Sequence, residues 1–479
     1  MARDWRDDRI AEQDRIIAAL TAQVEALLAR VTKLEEQVRR SSRNSSQPPS
    51  SDGPGVPPTR QKRKPSGRSP GGQEGHERRE RPLIPRDEVD KLVVLRPPRC
   101  RACRRALVGV DATPRRHQVS ELPRIVPFVT EFELHSLDCT CGIRTTATLP
   151  PGVPTGAFGP SVVAMAALLM GVYRLSKRAV PDLMRDAFGL RMSVGAVVGC
   201  QRIASEALAA PVEEAKSFVA EQPVKNADET SWREARGNAW LWTVVTATVT
   251  VFMVHSRRTA EAAQKILGCA RGVLVSDRHG AYNWWPALNH QFCWAHLIRD
   301  FVKIAERGYD SERIGNALLA EAKRMFDWWQ RVRDGTLTRA TLCVYMRSVR
   351  FRVEALLAEG AALPHRKTSK TCAKLLKRVD ALWTFLYVEG VEPTNNAAER
   401  AIRHGVLWRK TSHGTHSEEG SRFTERILTV HATLRQQRRS VLDFIHDACR
   451  AVLDVTPPPS LLPALGASED VLDHAHAAE

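Results

Sequence analysis

The stretch GVLVSDRHGAY, residues 272–282, decides how this chain is read. Val273, Leu274 and Val275 form a short apolar run that leads straight into Asp277, and Gly280 closes it. Such a run, bounded by turn formers, is a buried strand with an acid at its end. Upstream, PVKNADETSW (223–232) offers a short strand that ends at Asp228. Between the two, NAWLWTVVTATVTVFMVHS (238–256) is dense in Val, Thr, Trp and Phe, which predicts two strands joined by a turn. TAEAAQKILG (259–268) predicts a helix capped by Thr259, and HQFCWAH (290–296) a further strand.

Strand with Asp, strand, strand, helix, strand with Asp is the order of a ribonuclease H-like α/β fold. In that fold the first and fourth strands lie side by side, which brings Asp228 and Asp277 together. Two neighbouring carboxylates repel. A divalent cation relieves the repulsion, and hard carboxylate oxygens suit Mg²⁺ or Mn²⁺. Taken singly, each aspartate is also an ordinary turn residue closing a strand.

A two-metal phosphoryl-transfer centre needs a further ligand. The candidate is Glu399, in EPTNNAAERAIRHG (392–405). Two other readings compete locally. Asn396 followed by Glu399 fits an Asn version of the capping box, and Glu399 can pair with Arg403 on one helix face. The long interval before Glu399 holds strongly helical sequence, SERIGNALLAEAKRMFDWWQRVRDG (311–335) and TCAKLLKRVDALWTFLYVEG (371–390). An all-helical insertion would leave the sheet and return just before Glu399.

The 479 residues carry 71 Lys and Arg against 54 Asp and Glu, a net charge of +17. That balance favours a polyanionic partner, most simply nucleic acid. Hydrophobic residues make up 43%, enough for a globular chain of several domains. The charged N-terminus lacks a signal-peptide core, and the longest apolar stretch, 162–173, is too short to span a bilayer. Ten sparse cysteines fit a reducing compartment, so the expected location is the cytoplasm, at the nucleoid, with no membrane partner.

Residues 1–40 read as a coiled-coil segment, with a heptad pattern over 8–40 that puts Ile10, Ile17, Val24, Val31 and Val38 at a and Gln13, Leu20, Leu27 and Leu34 at d. β-branched a with Leu at d favours a parallel two-stranded coiled coil and hence a homodimer; one long helix packed on its own chain is the alternative. Residues 41–90 are rich in Ser, Pro, Gly and Arg and read as a basic flexible linker, in which Lys62, Arg63 and Lys64 can lie along phosphates. Residues 91–150 read as a small β-rich, zinc-ribbon-like module. Its pairs Cys100/Cys103 and Cys139/Cys141 suit a tetrahedral Zn²⁺ site, with His117 and His135 as substitute ligands and free thiols as the other reading. Residues 155–218 are helical, with a helix near 177–187, a turn and a helix capped by Ser193. That is either a DNA-binding helix-turn-helix or a plain helical hairpin. The remainder divides into a core of 219–300, the helical insertion 301–390, a returning part 391–440 with the Glu399 helix, and a C-terminal helical segment and tail, 441–479.

In this order the segments resemble the insertion sequence sixty-six family of bacterial DDE transposases. The residues that carry the resemblance are the N-terminal heptads, NSSQPPSSD (44–52), GGQEGH (71–76), the cysteine module, ADET (227–230), SDRHGAY (276–282), CWAH (293–296) and NNAAERAIR (395–403). They extend over nearly the whole chain. The resemblance implies a catalytic triad at Asp228, Asp277 and Glu399 holding two Mg²⁺ or Mn²⁺ ions. It also implies binding to inverted terminal repeats, hydrolysis at the transposon ends, joining of 3′-hydroxyl ends to target DNA, and accessory proteins of the element. Asn395 and Asn396 would position Glu399 or DNA, Arg400 and Arg403 would meet phosphates or form a solvated face, and His296 reads as a buried, hydrogen-bonded histidine. The chain departs from the family's CPxCG knuckle, with Arg101 and Arg104 for Pro and Gly, and its second knuckle is shortened to CxC. After CWAH, Leu297-Ile298-Arg299 replaces the family's paired basic residues. Two rival functions share these features: a non-catalytic DNA-binding protein, and a structure-specific nuclease of the same fold.

Overall fold

The computed structural model describes residues 5–39 and 82–463. Lys62, Arg63 and Lys64 therefore lie outside the described residues. Among the described residues, contacts separate 82–126 from the rest as two compact units. Cys100 and Cys103 belong to the first, Cys139 and Cys141 to the second.

The first helix, α1 (Trp5–Arg39), is continuous, about 52 Å long at 1.5 Å per residue. Ile17, Leu20, Val24, Leu27 and Val31 are all about half exposed along it. Cys100 and Cys103 sit in a tight turn, where Cys100 N donates to Arg105 O and Arg104 N to Cys100 O. Arg104 takes φ +60 there. This is the position of the glycine in the family knuckle, and the left-handed backbone explains why glycine suits it. The second pair closes a hairpin of β1 (Ser136–Asp138) and β2 (Arg144–Thr146).

Four helices follow: α2 (Pro160–Gly171), α3 (Ala179–Phe188), α4 (Val194–Ala207) and α5 (Ala209–Glu221). The turn between α3 and α4 uses Gly189 at φ +66, and the Ser193 side chain caps α4 by accepting from Ala196 N. The exposed side of α4 carries Val194, Val198 and Ile203 with Arg202 and Glu206, so it has no basic face.

The sheet comprises β3 (Val224–Glu234), β4 (Gly237–Val245), β5 (Thr250–His255), β6 (Val273–Ser276) and β7 (His290–Phe292), with α6 (Ala260–Leu267) between β5 and β6. Its order is β5-β4-β3-β6-β7; the first three are antiparallel, and β6 and β7 run parallel to β3. Asp228 does not end its strand as the sequence reading expected. Pairing with β4 carries β3 on to Glu234, whereas β6 pairs only from Val224 to Asn226. Asn226 faces Val275, so the same register carried two residues on sets Asp228 level with Asp277.

After β7 the chain enters α7 (Trp294–Ala305), α8 (Tyr309–Arg333), α9 (Arg339–Ala362), α10 (Arg366–Leu376) and α11 (Thr384–Tyr387), which share a core with β6 and β7. It then returns as α12 (Asn396–Ser412), α13 (Glu418–Gln436) and α14 (Val441–Asp454). Among the described residues no helix is long and apolar enough to cross a membrane.

Both edges of the sheet are covered. On β7, Gln291 accepts from Phe385 N and donates to Leu382 O. On β5, the N–H groups of Thr250, Phe252 and Val254 donate to Thr433 Oγ1, Thr429 Oγ1 and Glu425 Oε1 at 3.1, 3.0 and 2.6 Å. Four residues of helix rise about 6 Å and two of strand about 6.8 Å, so side chains at every fourth helical position match every second strand amide. An open edge is thereby closed by a helix. Thr429→Val, which keeps the shape but strands the Phe252 N–H, is expected to cost about 1–3 kcal/mol in urea unfolding; an unchanged midpoint would show that water replaces the threonine.

Candidate active site

The site is assembled from the end of β6, the middle of β3 and the first turn of α12. Asp277 follows β6, and its Oδ1 accepts from His279 N at 2.9 Å. Asp228 Oδ1 accepts from Glu229 N at 2.9 Å. Burial pushes the Asp228 carboxyl well above the usual range, and the negative charges of Glu229, Asp277 and Glu399 push it further. Glu399 is also raised, chiefly by burial and against the pull of Arg299, with Asp277 adding to the rise. Three separate elements thus bring Asp228, Asp277 and Glu399 within electrostatic reach of one another.

Glu399 is not a capping residue in the way its neighbours implied. The residue before α12 is Asn395, whose side chain makes no cap bond. Its Nδ2 instead donates to Ala227 O at 2.7 Å, and its N–H to Cys293 Sγ at 3.2 Å. Asn395 is buried, and it ties the start of α12 to the strand residue before Asp228. Farther along, Arg409 Nη1 donates to Thr230 Oγ1 and Ser231 O. Gly405 allows the helix to lie this close, because a Cβ there would meet Leu241 Cδ2 at 2.2 Å. Asn396, Arg400 and Arg403 are exposed on α12.

His296 is partly buried, but its Nδ1 has no hydrogen-bond partner, contrary to the expectation of a bonded histidine. It lies 3.6 Å from Glu399 Oε1, which is likewise buried and unpartnered. Burial, then the charge of Arg299, lowers its pKa to about 4, so it is neutral near pH 7. Cys293, His296 and Glu399 offer ligand atoms within 4.8 Å of one another. Burial raises the Cys293 thiol, against the pull of the Asn395 N–H, and a thiol held protonated is a poor metal ligand compared with a thiolate. The unpartnered oxygens of Glu399 and Asn395, beside carboxylates that repel one another, fit a hard cation such as Mg²⁺ or Mn²⁺.

The sequence reading missed Glu229. Its side chain is fully buried on the opposite strand face from Asp228. Its Oε1 accepts from Arg258 Nε at 2.7 Å, and its Oε2 from the Tyr282 hydroxyl. Alternation along β3 puts Ala227 and Glu229 both inward, and an acid at an inward position demands a buried partner. That was the available signal.

A chain of bonds also reaches Asp277 from the insertion. Arg378 Nη2 donates to His290 Nδ1 at 3.1 Å, His290 Nε2 donates to Ser276 Oγ at 2.8 Å, and Ser276 Oγ donates to Asp277 O at 2.6 Å. The tautomer follows because a guanidinium only donates.

The Transposase IS66 family matches residues 155–423. The chain belongs to that transposase family. A family of unknown function (DUF6444) matches residues 3–82. The chain is also similar to the uncharacterized protein y4hP of Sinorhizobium fredii (strain NBRC 101917 / NGR234), 24% identical over 417 residues, covering 78% of this chain and 75% of that protein.

Burial, then the charge of Arg378, lowers His290 to about 3, so the folded chain holds it neutral. In the unfolded chain it takes a proton near pH 6.5. Stability is therefore complete above pH 6.5 and falls as pH drops toward about 3, by up to ~1.4 kcal/mol per pH unit from this group. Urea unfolding between pH 7 and 4.5 should show a shallower pH slope for His290→Gln than for the natural chain; equal slopes would mean that His290 takes its proton in the fold.

Proposed function

We propose that this transposase is a DDE enzyme with a ribonuclease H-like core, which binds transposon terminal inverted repeats, cuts at the ends and joins the 3′-hydroxyl ends to target DNA. The observation that carries this reading is the convergence of Asp228, Asp277 and Glu399 from three separate elements, in a chain of the IS66 family. The sheet order β5-β4-β3-β6-β7 with a helical insertion before the last acid supports the core assignment.

Asp228, Asp277 and Glu399 would hold two Mg²⁺ or Mn²⁺ ions. Bound there, such cations would activate water or a DNA 3′-hydroxyl and stabilise the leaving oxygen of an in-line displacement. Asn395 positions Glu399 by fixing the start of α12 to β3. On α12, Asn396, Arg400, Arg403 and Lys410 are all exposed and spaced three, four or seven apart, so they run along one face. That face leads from the acids to a shallow cavity of about 580 Å³ lined by Arg233, Arg409, Lys410 and His413. It is a track of the right charge for a DNA backbone.

Cys100 and Cys139 are lowered by backbone amides, of Cys103 and then Ala102 for the first and of Cys141 for the second. Such turns suit thiolate ligands, and Zn²⁺ is the metal proposed for the cysteine pairs. The half-exposed apolar row of α1 supports a parallel homodimer that would pair two transposon ends. DNA at the nucleoid is the proposed partner, along with accessory proteins of the element.

Asp228→Ala, assayed with end-sequence DNA and Mg²⁺, is expected to lose cleavage and joining by at least about a thousandfold while still binding DNA. Undiminished cleavage would remove Asp228 from the chemistry. Cleavage without joined products on a target plasmid in the natural chain would favour the nuclease reading.

A further inference from the structure

Four carboxylates lie close together in this site, yet only three are free to serve a cation. Glu229, next to Asp228, is fully buried with both oxygens engaged, Oε1 by Arg258 and Oε2 by Tyr282. A carboxylate so occupied has no oxygen left for a metal. Its partner has a second carboxylate in view. Arg258 Nη2 lies 2.5 Å from Glu229 Oε1 and 3.8 Å from Asp277 Oδ2. The guanidinium also stacks over the Trp240 ring, 4.7 Å from its centre, and it stands just before Thr259, which caps α6. His279, whose N–H holds Asp277 Oδ1, has its ring Nδ1 3.8 Å from Glu229.

Arg258 is therefore shared between an acid that cannot bind metal and one that is proposed to do so. The shorter contact, to Glu229, decides which it serves. We propose that Glu229 is a positioning residue that keeps Arg258 off Asp277, leaving Asp277 open to a divalent cation. The inference rests on the metal-site reading above. Without the Glu229 charge, Asp277 becomes the nearest carboxylate to Arg258. A guanidinium paired directly with Asp277 competes with the cation for the same oxygen, and an unneutralised positive charge beside the site repels the cation. Trp240 and Tyr282 are the walls that hold the pair in register. A guanidinium held by stacking and by two nitrogens converging on one buried carboxylate oxygen is a fixed group, unlike a surface ion pair.

The test is Mn²⁺ binding to the full chain, followed by electron paramagnetic resonance of the free ion, with circular dichroism and thermal melting to verify folding. Glu229→Gln is expected to weaken Mn²⁺ binding at least tenfold. Glu229→Gln combined with Arg258→Gln is expected to bind within about threefold of the natural chain, because the competitor leaves with its tether. A purely structural role gives the opposite order, with the double variant no better than the single one. The proposal is overturned if Glu229→Gln binds Mn²⁺ normally, or if the double variant is as weak as the single. Should Glu229→Gln fail to fold, Glu229→Asp keeps the charge but is too short to hold Arg258; it should bind more weakly, and normal binding overturns the proposal. Asp228→Asn serves as the separate control. If it binds Mn²⁺ as the natural chain does, the metal-site reading itself is wrong, whatever Glu229 does.

Discussion

The hydrogen bond from Asn395 Nδ2 to Ala227 O, 2.7 Å long and buried, joins the two halves of the site. β3 and α12 lie far apart in sequence, with a helical insertion and its own apolar core between them. The returning chain must therefore find the sheet again, and find it in register. Asn395 does this through both backbone and side chain, donating its N–H to Cys293 Sγ at the end of β7 and its amide to the strand carrying Asp228. Trp294 N donates to Pro393 O alongside. Gly405 and Arg409 continue the seam along the helix. Misplacing this helix by one residue would turn Glu399 about 100° away from the aspartates.

A site built this way stores repulsion. Burial and the neighbouring charges lift Asp228 well above the usual carboxyl range, and Glu229 is lifted as well, first by burial and then by Asp277, against the pull of Arg258 and Tyr282. The fold meets part of that cost with fixed donors. His279 N–H serves Asp277, Arg258 and Tyr282 serve Glu229, and the run from Arg378 through His290 and Ser276 ends on the Asp277 carbonyl. The insertion is thus bonded to the strand that leads into Asp277 and does more than interrupt the sheet. Where α12 begins, Glu399 Oε1, His296 Nδ1 and Asn395 Oδ1 are left without partners among the described residues.

The order of strands and helices could be read from local pattern. Val273–Ser276, the two strands of 237–255 and the helix capped by Thr259 announce themselves by apolar runs, β-branched residues and a cap. The Ser193 cap was equally visible. β3 was read too short because its second half, Thr230 to Glu234, is polar apart from the buried Trp232; its pairing with β4 holds it extended, and that is a tertiary fact. Asn396 was read as a cap because capping is judged from neighbours in sequence, whereas Asn395 spends its side chain on the sheet. Arg258 gave no local signal at all. It is one of two adjacent arginines in a loop, and only the fold brings it to Glu229 and Asp277. Asp277 was legible because a charged residue at the end of an apolar run stands out, whereas Glu399, among Asn, Ala and Arg, was singled out chiefly by the family resemblance; the level placement of Asp228 and Asp277 rests on strand order.

The central claim is that Asp228, Asp277 and Glu399 form one metal-binding site. Anomalous diffraction from crystals grown with Mn²⁺ and DNA ends tests it most directly. The account predicts manganese peaks coordinated by all three carboxylates, with Glu229 still bonded to Arg258. Peaks that lack Asp228 or Asp277, or a metal held instead by Cys293 and His296 with Glu399, would contradict it.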